Sequence, residues 1–230
     1  MEQTAAQAVF ILGDLFEVWV GDDAVAAVAT TQSDGDGFED RCAQILLRCA
    51  AQRSVFFMHG NRDFLVGETF TRACGVQLLD DPTTLDFAGQ RWLLSHGDAL
   101  CLGDTEYMQF RAQVRGAAWQ REFLGQSLAK RKEIARQLRE RSDERKKSHP
   151  VLIDVDTQEA TGWLTKAHAI CLVHGHTHRP ADHALGGGLQ RIALSDWDLH
   201  ASPPRAQVLR IYSGTGFGPA MVQRLAPQAL

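Results

Sequence analysis

Three histidines follow the apolar run Ala169–Val173 at alternating positions, in the pentad His174-Gly175-His176-Thr177-His178. Alternate residues of an extended chain lie on the same side of the backbone, so a strand that ends here directs its imidazoles towards one point. Neutral imidazole is the commonest protein ligand of divalent transition metals. The pentad therefore predicts a metal site at a strand end, although pairs of surface histidines also occur by chance.

Three earlier apolar runs also end in a glycine beside a side chain that can bind a metal. They are Val9–Leu12 before Gly13-Asp14, Val55–Met58 before His59-Gly60-Asn61-Arg62-Asp63, and Trp92–Ser95 before His96-Gly97-Asp98. Because ligands gather at the carboxyl ends of strands in open α/β sheets, we expect the four strand ends to converge on one crevice. The predicted metal ligands are Asp14, Asn61, His96, His176 and His178. Oxygen and nitrogen donors without a thiolate suit Mn, Fe, Co or Zn in a catalytic site better than a structural zinc site.

This donor set predicts a hydrolytic reaction at phosphorus. A carboxylate such as Asp14 can bridge two cations, while Asn61 and His96 complete one metal and a further histidine serves the other. Two metals about 3.5–4 Å apart clamp a phosphoryl oxygen, generate hydroxide at neutral pH and stabilise the leaving oxygen. Arg62, directly after Asn61, adds a guanidinium that suits bidentate recognition of phosphate. The sequence thus predicts hydrolysis of a phosphoester or a pyrophosphate.

Each of these residues taken alone has a structural explanation. Asp14 would more often cap a helix or a turn, Asn61 would stand in a turn before a helix, and His96 would be a hydrogen-bonded loop histidine. We assign His174 to a structural role and expect Asp98 to orient His96 or His176. The prediction depends on the joint occurrence of the motifs in this chain order.

Length and composition predict one soluble domain. The chain has 230 residues, of which 44% are hydrophobic and 23% are charged, as is ordinary for a globular protein. A net charge of −4 argues against a surface that binds nucleic acid as a whole. The five cysteines form no C-x-x-C pair, which favours buried thiols in a reducing compartment. No segment resembles a signal peptide or a membrane span, so we expect a cytosolic protein that is at most peripheral to a membrane.

The hydrophobic pattern predicts an α/β domain over residues 1–230 with a helical insert at about 105–150. The predicted elements are βαβ units from Val9 to about Gly103, helices at 41–52 and 64–74, a hairpin at 83–95, a helix at 151–168 and strands at 169–173, 189–194 and 207–212. Residues 130–147 of the insert are rich in Lys and Arg in an otherwise acidic chain. This basic segment is either a solvated helix face or a cap against a membrane surface or a phosphate-bearing substrate.

Five motifs, in order, give the chain a specific resemblance. They are Leu12-Gly13-Asp14-Leu15-Phe16-Glu17 with Trp19 and Gly21-Asp22-Asp23, His59-Gly60-Asn61-Arg62-Asp63-Phe64-Leu65, His96-Gly97-Asp98 with Asp104, Ile153-Asp154-Val155, and His174-Gly175-His176-Thr177-His178-Arg179-Pro180. With these motifs the chain resembles the calcineurin-like metallophosphoesterases and, among them, the UDP-2,3-diacylglucosamine pyrophosphatases of lipid A biosynthesis. General phosphoesterases of this fold tend to carry His after the Asn, so Arg62 discriminates between the two groups.

The resemblance implies a fold, a reaction and a location. The fold would be a four-layer α/β/β/α sandwich with a helical insert, holding two Mn²⁺ ions. Metal-activated water would attack the α-phosphorus of UDP-2,3-diacylglucosamine and release 2,3-diacylglucosamine 1-phosphate, called lipid X, and UMP. The enzyme would be peripheral on the cytoplasmic face of the inner membrane. Its partners would be the nucleotide-linked glycolipid and the membrane surface, with no nucleic acid and no protein partner.

The resemblance also implies roles for individual residues. Asp14 would bridge the metals; Asn61, His96 and His176 would complete the second metal, and His178 would serve the first. The catalytic set would be Asp14, Asn61, Arg62, His96 and His176. Substrate contacts would come from Asn61, Arg62, Asp104, Ser142, Lys146 and His176, with Lys147 or His149 in place of a further Lys.

The family pattern differs from this sequence at the front. The family begins with a strand ending in Asp-x-His, which supplies the first metal, and no such motif stands before Val9. We therefore expect the first strand to be missing and the first metal to keep only Asp14 and His178. The chain as written is expected to bind one metal weakly and to hydrolyse poorly, whereas a version extended upstream would be active. Two alternatives remain: a metallophosphoesterase with another substrate, and a degenerate binding or scaffold protein.

Overall fold

The computed structural model describes residues 4–25, 37–148, 154–214 and 219–226. The chain divides into two compact units. The first comprises Met1–Asp80 and Asp104–Leu152, and the second comprises Asp81–Gly103 and Ile153–Leu230. The helical insert expected at 105–150 therefore belongs to the first unit, and the single domain of 230 residues stays a prediction.

The first unit contains a three-stranded parallel sheet with two helices along the chain between its strands. The elements are β1 (Ala8–Leu12), α1 (Phe38–Ala50), β2 (Ser54–Met58), α2 (Glu68–Ala73) and β3 (Gln77–Leu79), and the strand order is β1-β2-β3. The helix α1 buries Ala43, Leu46 and Cys49, which are spaced by three residues on one face. The helices predicted at 41–52 and 64–74 are confirmed in type, but they start after Gly37 and Gly67, respectively.

The insert folds as three helices of the first unit. They are α3 (Thr105–Val114), α4 (Ala117–Leu124) and α5 (Leu128–Ser148). Phe123 joins the buried core that also contains Phe16, Trp19 and Phe70, so the insert shares the apolar core of the unit. The buried Arg131 of α5 donates to the carbonyl oxygen of Val20 at 2.5 Å and pairs with Asp23. The insert is therefore anchored by a buried charge as well as by apolar packing.

The second unit is built on a mixed five-stranded sheet. Its elements are β4 (Thr83–Phe87), β5 (Gln90–Ser95), α6 (Thr157–Ala167), β6 (Cys171–His174), β7 (Ala181–Gly186), β8 (Leu189–Ala193), β9 (Val208–Ser213) and β10 (Ala220–Leu225). The sheet order is β4-β5-β6-β8-β7, with β5, β6 and β8 parallel and both edge strands antiparallel. Strands β9 and β10 form a separate antiparallel pair. The α/β class is confirmed.

Several predicted elements of the second unit have different bounds. The hairpin predicted at 83–95 is confirmed, and the helix predicted at 151–168 is observed as Thr157–Ala167, with 151–153 outside the described residues. Strands β7 and β10 were not predicted. Strand β7 reads ADHALG, and its small and polar residues lack the β-branched side chains that mark a strand in a sequence.

The thiols and the helices bear on two further expectations. All five cysteines are free, and all except Cys42 are buried. Among the described residues, no helix combines the length and the apolarity that crossing a membrane requires.

We predict that two of these thiols resist alkylation in the native protein. Burial raises the pKa of Cys74 and of Cys171 to about 12, so almost no reactive thiolate forms at pH 8. Mass spectrometry after iodoacetamide treatment should show these two cysteines unmodified in the native protein and all five modified in guanidinium. Rapid native labelling of Cys171 would contradict this prediction.

Candidate active-site residues

In the first unit, the loops after β1 and β2 place Asp14 beside Arg62. The two strands are parallel neighbours, with Leu12 paired with Met58, so their carboxyl ends lie side by side. The amide of Arg62 donates to Asp14 Oδ1 at 2.9 Å, and Asn61 precedes it in the same loop. The structure thus brings together the loops of Asp14, Asn61 and Arg62 as the sequence predicts.

The guanidinium of Arg62 faces two carboxylates. It donates to Glu17 at 2.5 Å and lies 3.7 Å from Asp14 Oδ2, with a quarter of its side chain exposed. Arg139 of α5 also pairs with Glu17, at 3.0 Å. A phosphate group that binds Arg62 would therefore compete with Glu17, and the insert takes part in that competition through Arg139.

Asp63 organises this loop, and the sequence did not reveal its role. Its side chain is fully buried and accepts hydrogen bonds from four backbone amides, those of Gly60 at 2.8 Å, Asp14 at 3.2 Å, Leu15 at 2.7 Å and Phe16 at 3.3 Å. Burial and then the negative charge of Asp14 raise the pKa of Asp63 to about 6, while these hydrogen bonds act in the opposite direction. Asp63 thus ties the Asp14 loop to the loop that carries Asn61 and Arg62.

In the second unit, the loops after β5 and β6 bring two histidines together. The strands are parallel neighbours, with Ser95 paired with His174, and the amide of Gly175 donates to the carbonyl oxygen of His96 at 3.0 Å. The rings of His96 and His176 have centroids 5.1 Å apart. His96 is almost fully buried, whereas His176 is partly exposed. These two predicted ligands therefore share one cluster.

The geometry of the histidine pentad corrects one step of the sequence argument. Strand β6 ends at His174, and His176 and His178 adopt left-handed backbone conformations with φ of 64° and 54°. The chain is thus not extended across the pentad, and alternation along a strand is not what orients these two rings. His178 is half exposed, and its Nδ1 lies 3.8 Å from Asp196, a carboxylate held by Arg205 at 2.7 Å.

Backbone strain is concentrated at predicted ligands. Among the described residues, the non-glycine positions with positive φ are Asp14, Ala88, His168, His176 and His178. Ala88 lies in the tight turn of the β4–β5 hairpin and His168 caps α6, which leaves three predicted metal ligands. The left-handed conformation costs about 1–2 kcal/mol per residue. Such strain persists where surrounding contacts enforce it, as is common at functional sites.

Two buried carboxyl groups interact with His96. Asp98 is fully buried, as expected for a residue that orients a histidine, and Asp81 precedes β4. Burial raises the pKa of Asp81 and the charge of Asp98 raises it further, whereas a hydrogen bond with Ser95 and the charge of His96 lower it. The sequence analysis did not identify Asp81, because an acid before a proline is also a common turn residue.

Comparison with known proteins assigns the chain to a family. No protein-family model matches it. Proteins called UDP-2,3-diacylglucosamine hydrolase are similar in Chromohalobacter salexigens (42% identity, 84% of this chain and 76% of the relative), Chromobacterium violaceum (45%, 83% and 76%) and Stenotrophomonas maltophilia (38%, 91% and 83%). The chain belongs to the UDP-2,3-diacylglucosamine hydrolase family. An archaeal phosphodiesterase of known structure matches with a TM-score of 0.38 and 9% identity over 80% of this chain and 74% of its own, which is too weak to add to the assignment.

Membership in the UDP-2,3-diacylglucosamine hydrolase family confirms the resemblance found in the sequence, and the roles of single residues stay predictions. Asp104 caps α3 by accepting from the amide of Tyr107 at 3.0 Å. The side chains of Ser142 and Lys146, and the residues Lys147 and His149, lie outside the described side chains. None of these contacts with substrate is therefore tested by the structure.

Arg115 is a further loop contact that the sequence did not indicate in this UDP-2,3-diacylglucosamine hydrolase family member. It lies just beyond α3, donates to the carbonyl oxygen of Gly60 at 3.0 Å, and stacks over Phe64 with its guanidinium carbon 5.3 Å from the ring centroid. The insert therefore supports the loop of Asn61 and Arg62 directly. A sequence shows an arginine in a helical segment but not which carbonyl it reaches.

Proposed function

We propose that this chain hydrolyses the pyrophosphate bond of UDP-2,3-diacylglucosamine and yields 2,3-diacylglucosamine 1-phosphate and UMP, a step of lipid A biosynthesis. The observation that carries the proposal is the loop after β2, where Arg62 adjoins Asn61 and its amide holds Asp14. This is the position at which the sequence resembles the pyrophosphatases and departs from general phosphoesterases. Relatives with the corresponding name match more than four fifths of the chain.

The residues present fit a divalent metal centre. The proposed ligands are Asp14, Asn61, His96, His176 and His178, and two Mn²⁺ ions are the proposed cofactor. The histidine cluster supports the proposal, because the rings of His96 and His176 lie 5.1 Å apart and imidazole with carboxylate and amide oxygen suits Mn²⁺. When bound, divalent metals would supply Lewis-acid polarisation of phosphorus and hydroxide at neutral pH.

The side chains of the protein have their own tasks in this proposal. The guanidinium of Arg62 binds phosphate oxygens in place of the Glu17 carboxylate, which it contacts in this structure. Asp63 keeps that loop in place, and Asp104, Ser142, Lys146 and His176 are proposed contacts for the remainder of the substrate. The chemistry requires a metal-bound nucleophile, while the protein positions the pyrophosphate and excludes alternative geometries.

We also propose that the protein acts as a peripheral protein at the cytoplasmic face of the inner membrane, without nucleic acid or a protein partner. The substrate named by the relatives carries two acyl chains, so a membrane is where such a molecule resides. The basic segment 130–147 would suit an anionic lipid surface or the phosphates of the substrate. Sedimentation with anionic vesicles tests this location separately from catalysis.

The deciding experiment measures UMP release from UDP-2,3-diacylglucosamine with and without Mn²⁺, and with EDTA. Release that requires Mn²⁺ and exceeds release from UDP-N-acetylglucosamine supports the proposal. Faster hydrolysis of bis(p-nitrophenyl) phosphate than of the glycolipid would favour a metallophosphoesterase with another substrate. Mn²⁺ binding without any hydrolysis would favour the binding-protein alternative.

Arg62→Lys is predicted to lower kcat/KM for the glycolipid by about tenfold. Lysine keeps the charge but has no planar fork for bidentate binding of phosphate, and the loss of one charge-assisted hydrogen bond corresponds to about 1.5 kcal/mol. Arg72→Lys, at an exposed pair on α2, serves as the matched control. Equal kinetic constants for the wild type and Arg62→Lys would show that Arg62 does not bind phosphate.

A further inference from the structure

One motif of the sequence analysis has no role in the proposed function. Asp154 belongs to Ile153-Asp154-Val155 and precedes α6 in the second unit. Its carboxylate receives two hydrogen bonds from Arg191 of β8, at 3.1 and 2.8 Å. Burial alone would raise the pKa of Asp154, but the bonds from Arg191 and from the amide of Val155 hold it below its usual value. The pair is therefore a stable ion pair in which Arg191 is almost fully buried.

Arg191 also contacts a histidine of the pentad. Its Nη1 lies 3.2 Å from Nε2 of His174, a side chain that is fully buried at the end of β6. A guanidinium has only donors, so Nε2 of His174 must be the acceptor. In a neutral imidazole the proton then stands on Nδ1, which lies 3.0 Å from the carbonyl oxygen of Gly175 and donates to it. Arg191 thus selects one of the two tautomers of His174.

The selected tautomer fixes the peptide that leads into His176. The carbonyl of Gly175 accepts from His174, and its amide donates to the carbonyl oxygen of His96 at 3.0 Å. Gly97 leaves little free space here, since a Cβ on it would lie 3.1 Å from Nδ1 of His174. The peptide of Gly175 is thereby held on both sides, directly before His176 adopts its left-handed conformation.

We propose that Arg191, oriented by Asp154, is a positioning residue of the active site. It sets the tautomer of His174, which holds the carbonyl of Gly175 and so directs the ring of His176 towards its ligand. The role assigned to His176 rests on the proposed function, whereas the tautomer and the held peptide do not. Partners in the second shell of metal ligands typically change metal affinity by about 10–100-fold.

The first test reads the tautomer in the metal-free protein. Long-range ¹H–¹⁵N correlation spectra should show His174 protonated at Nδ1 in the wild type and shifted towards the Nε2-protonated form in Arg191→Met. The control is Arg91→Gln, because Arg91 makes a similar two-bond pair with Asp86, at 2.7 and 2.8 Å, at the start of β5. An unchanged His174 spectrum in Arg191→Met would overturn the proposal.

The second test separates the two hydrogen bonds of His174. Asn in place of His174 retains an amide donor near the position of Nδ1, whereas Gln places its amide group near Nε2. We expect Mn²⁺ dissociation constants, from calorimetric titration, to change by less than about threefold in His174→Asn and to rise by at least tenfold in His174→Gln and Arg191→Met. Arg191→Lys, which keeps a donor, should recover part of the affinity.

Kinetic and thermal measurements complete the design. Turnover of UDP-2,3-diacylglucosamine should show a lower kcat in Arg191→Met and in Asp154→Asn with little change in KM, because the substrate contacts of Arg62 are intact. A loss of melting temperature with wild-type Mn²⁺ affinity and tautomer would make Arg191 a structural residue only and overturn the proposal. If no variant, including the wild type, hydrolyses the glycolipid, the proposed function fails while the tautomer and affinity results still decide the present inference.

Discussion

Replacing Gly60 with alanine is expected to abolish Mn²⁺-dependent hydrolysis, with a loss in kcat/KM of at least about 100-fold. A Cβ at this position would lie 2.2 Å from Oδ1 of Asp14 and 2.3 Å from its backbone nitrogen. A backbone atom cannot move aside without displacing the whole turn after β1, and displacement of a catalytic group by about 1 Å can cost about 100-fold in rate. Kinetic assays with the glycolipid and a Mn²⁺ titration measure this effect.

The control for Gly60→Ala is the same substitution at Gly162 of α6. A Cβ there meets no atom within 4 Å, so Gly162→Ala should be fully active. It should even stabilise the helix, by about 0.5–1 kcal/mol, because alanine loses less conformational entropy than glycine. Wild-type turnover by Gly60→Ala would show that the close approach of the two loops is not required, and would remove Asp14 from the proposed ligand set.

The strand ends and their polar loops could be predicted from the sequence because their signals are local. An apolar run followed by a glycine and a donor is visible within about eight residues, and β1, β2, β5 and β6 all follow this pattern. Strand β7 escaped prediction because its alternation is carried by small residues. Local signals therefore located the loops that carry Asp14, Asn61, Arg62, His96 and His176 but not every strand beside them.

The contacts that hold these loops could not be predicted, because their partners are far apart in the chain. Asp154 and Arg191 are 37 residues apart, and Arg115 and Gly60 are 55 residues apart. A sequence shows that such residues are charged, but tertiary structure decides which donor meets which acceptor. The same holds for the pentad, where the sequence supplied the ligand types while the left-handed conformation of His176 depends on hydrogen bonds to Gly175.

Replacing Asp63 with asparagine is expected to lower the free energy of unfolding by about 3 kcal/mol and to reduce turnover strongly. The carboxylate accepts from four backbone amides with both of its oxygens. Asparagine has one acceptor oxygen, and its amide nitrogen would face backbone donors that then have no partner. A buried donor left without an acceptor costs about 1–3 kcal/mol. Urea unfolding of the metal-free protein measures the loss.

The prediction for Asp63 is distinct from a general effect of removing a charge. Asp182 is an exposed carboxylate whose pair with Arg224 lies at 2.5 Å, so Asp182→Asn should change the free energy of unfolding by less than about 1 kcal/mol. Because Asp63 joins the Asp14 loop to the loop of Asn61 and Arg62, its loss should also weaken Mn²⁺ binding, which Asp182→Asn should leave unchanged. If Asp63→Asn were as stable as Asp182→Asn, the four backbone hydrogen bonds would contribute no net stability, and the two loops would have to be held by Arg115 and the amide of Arg62 alone.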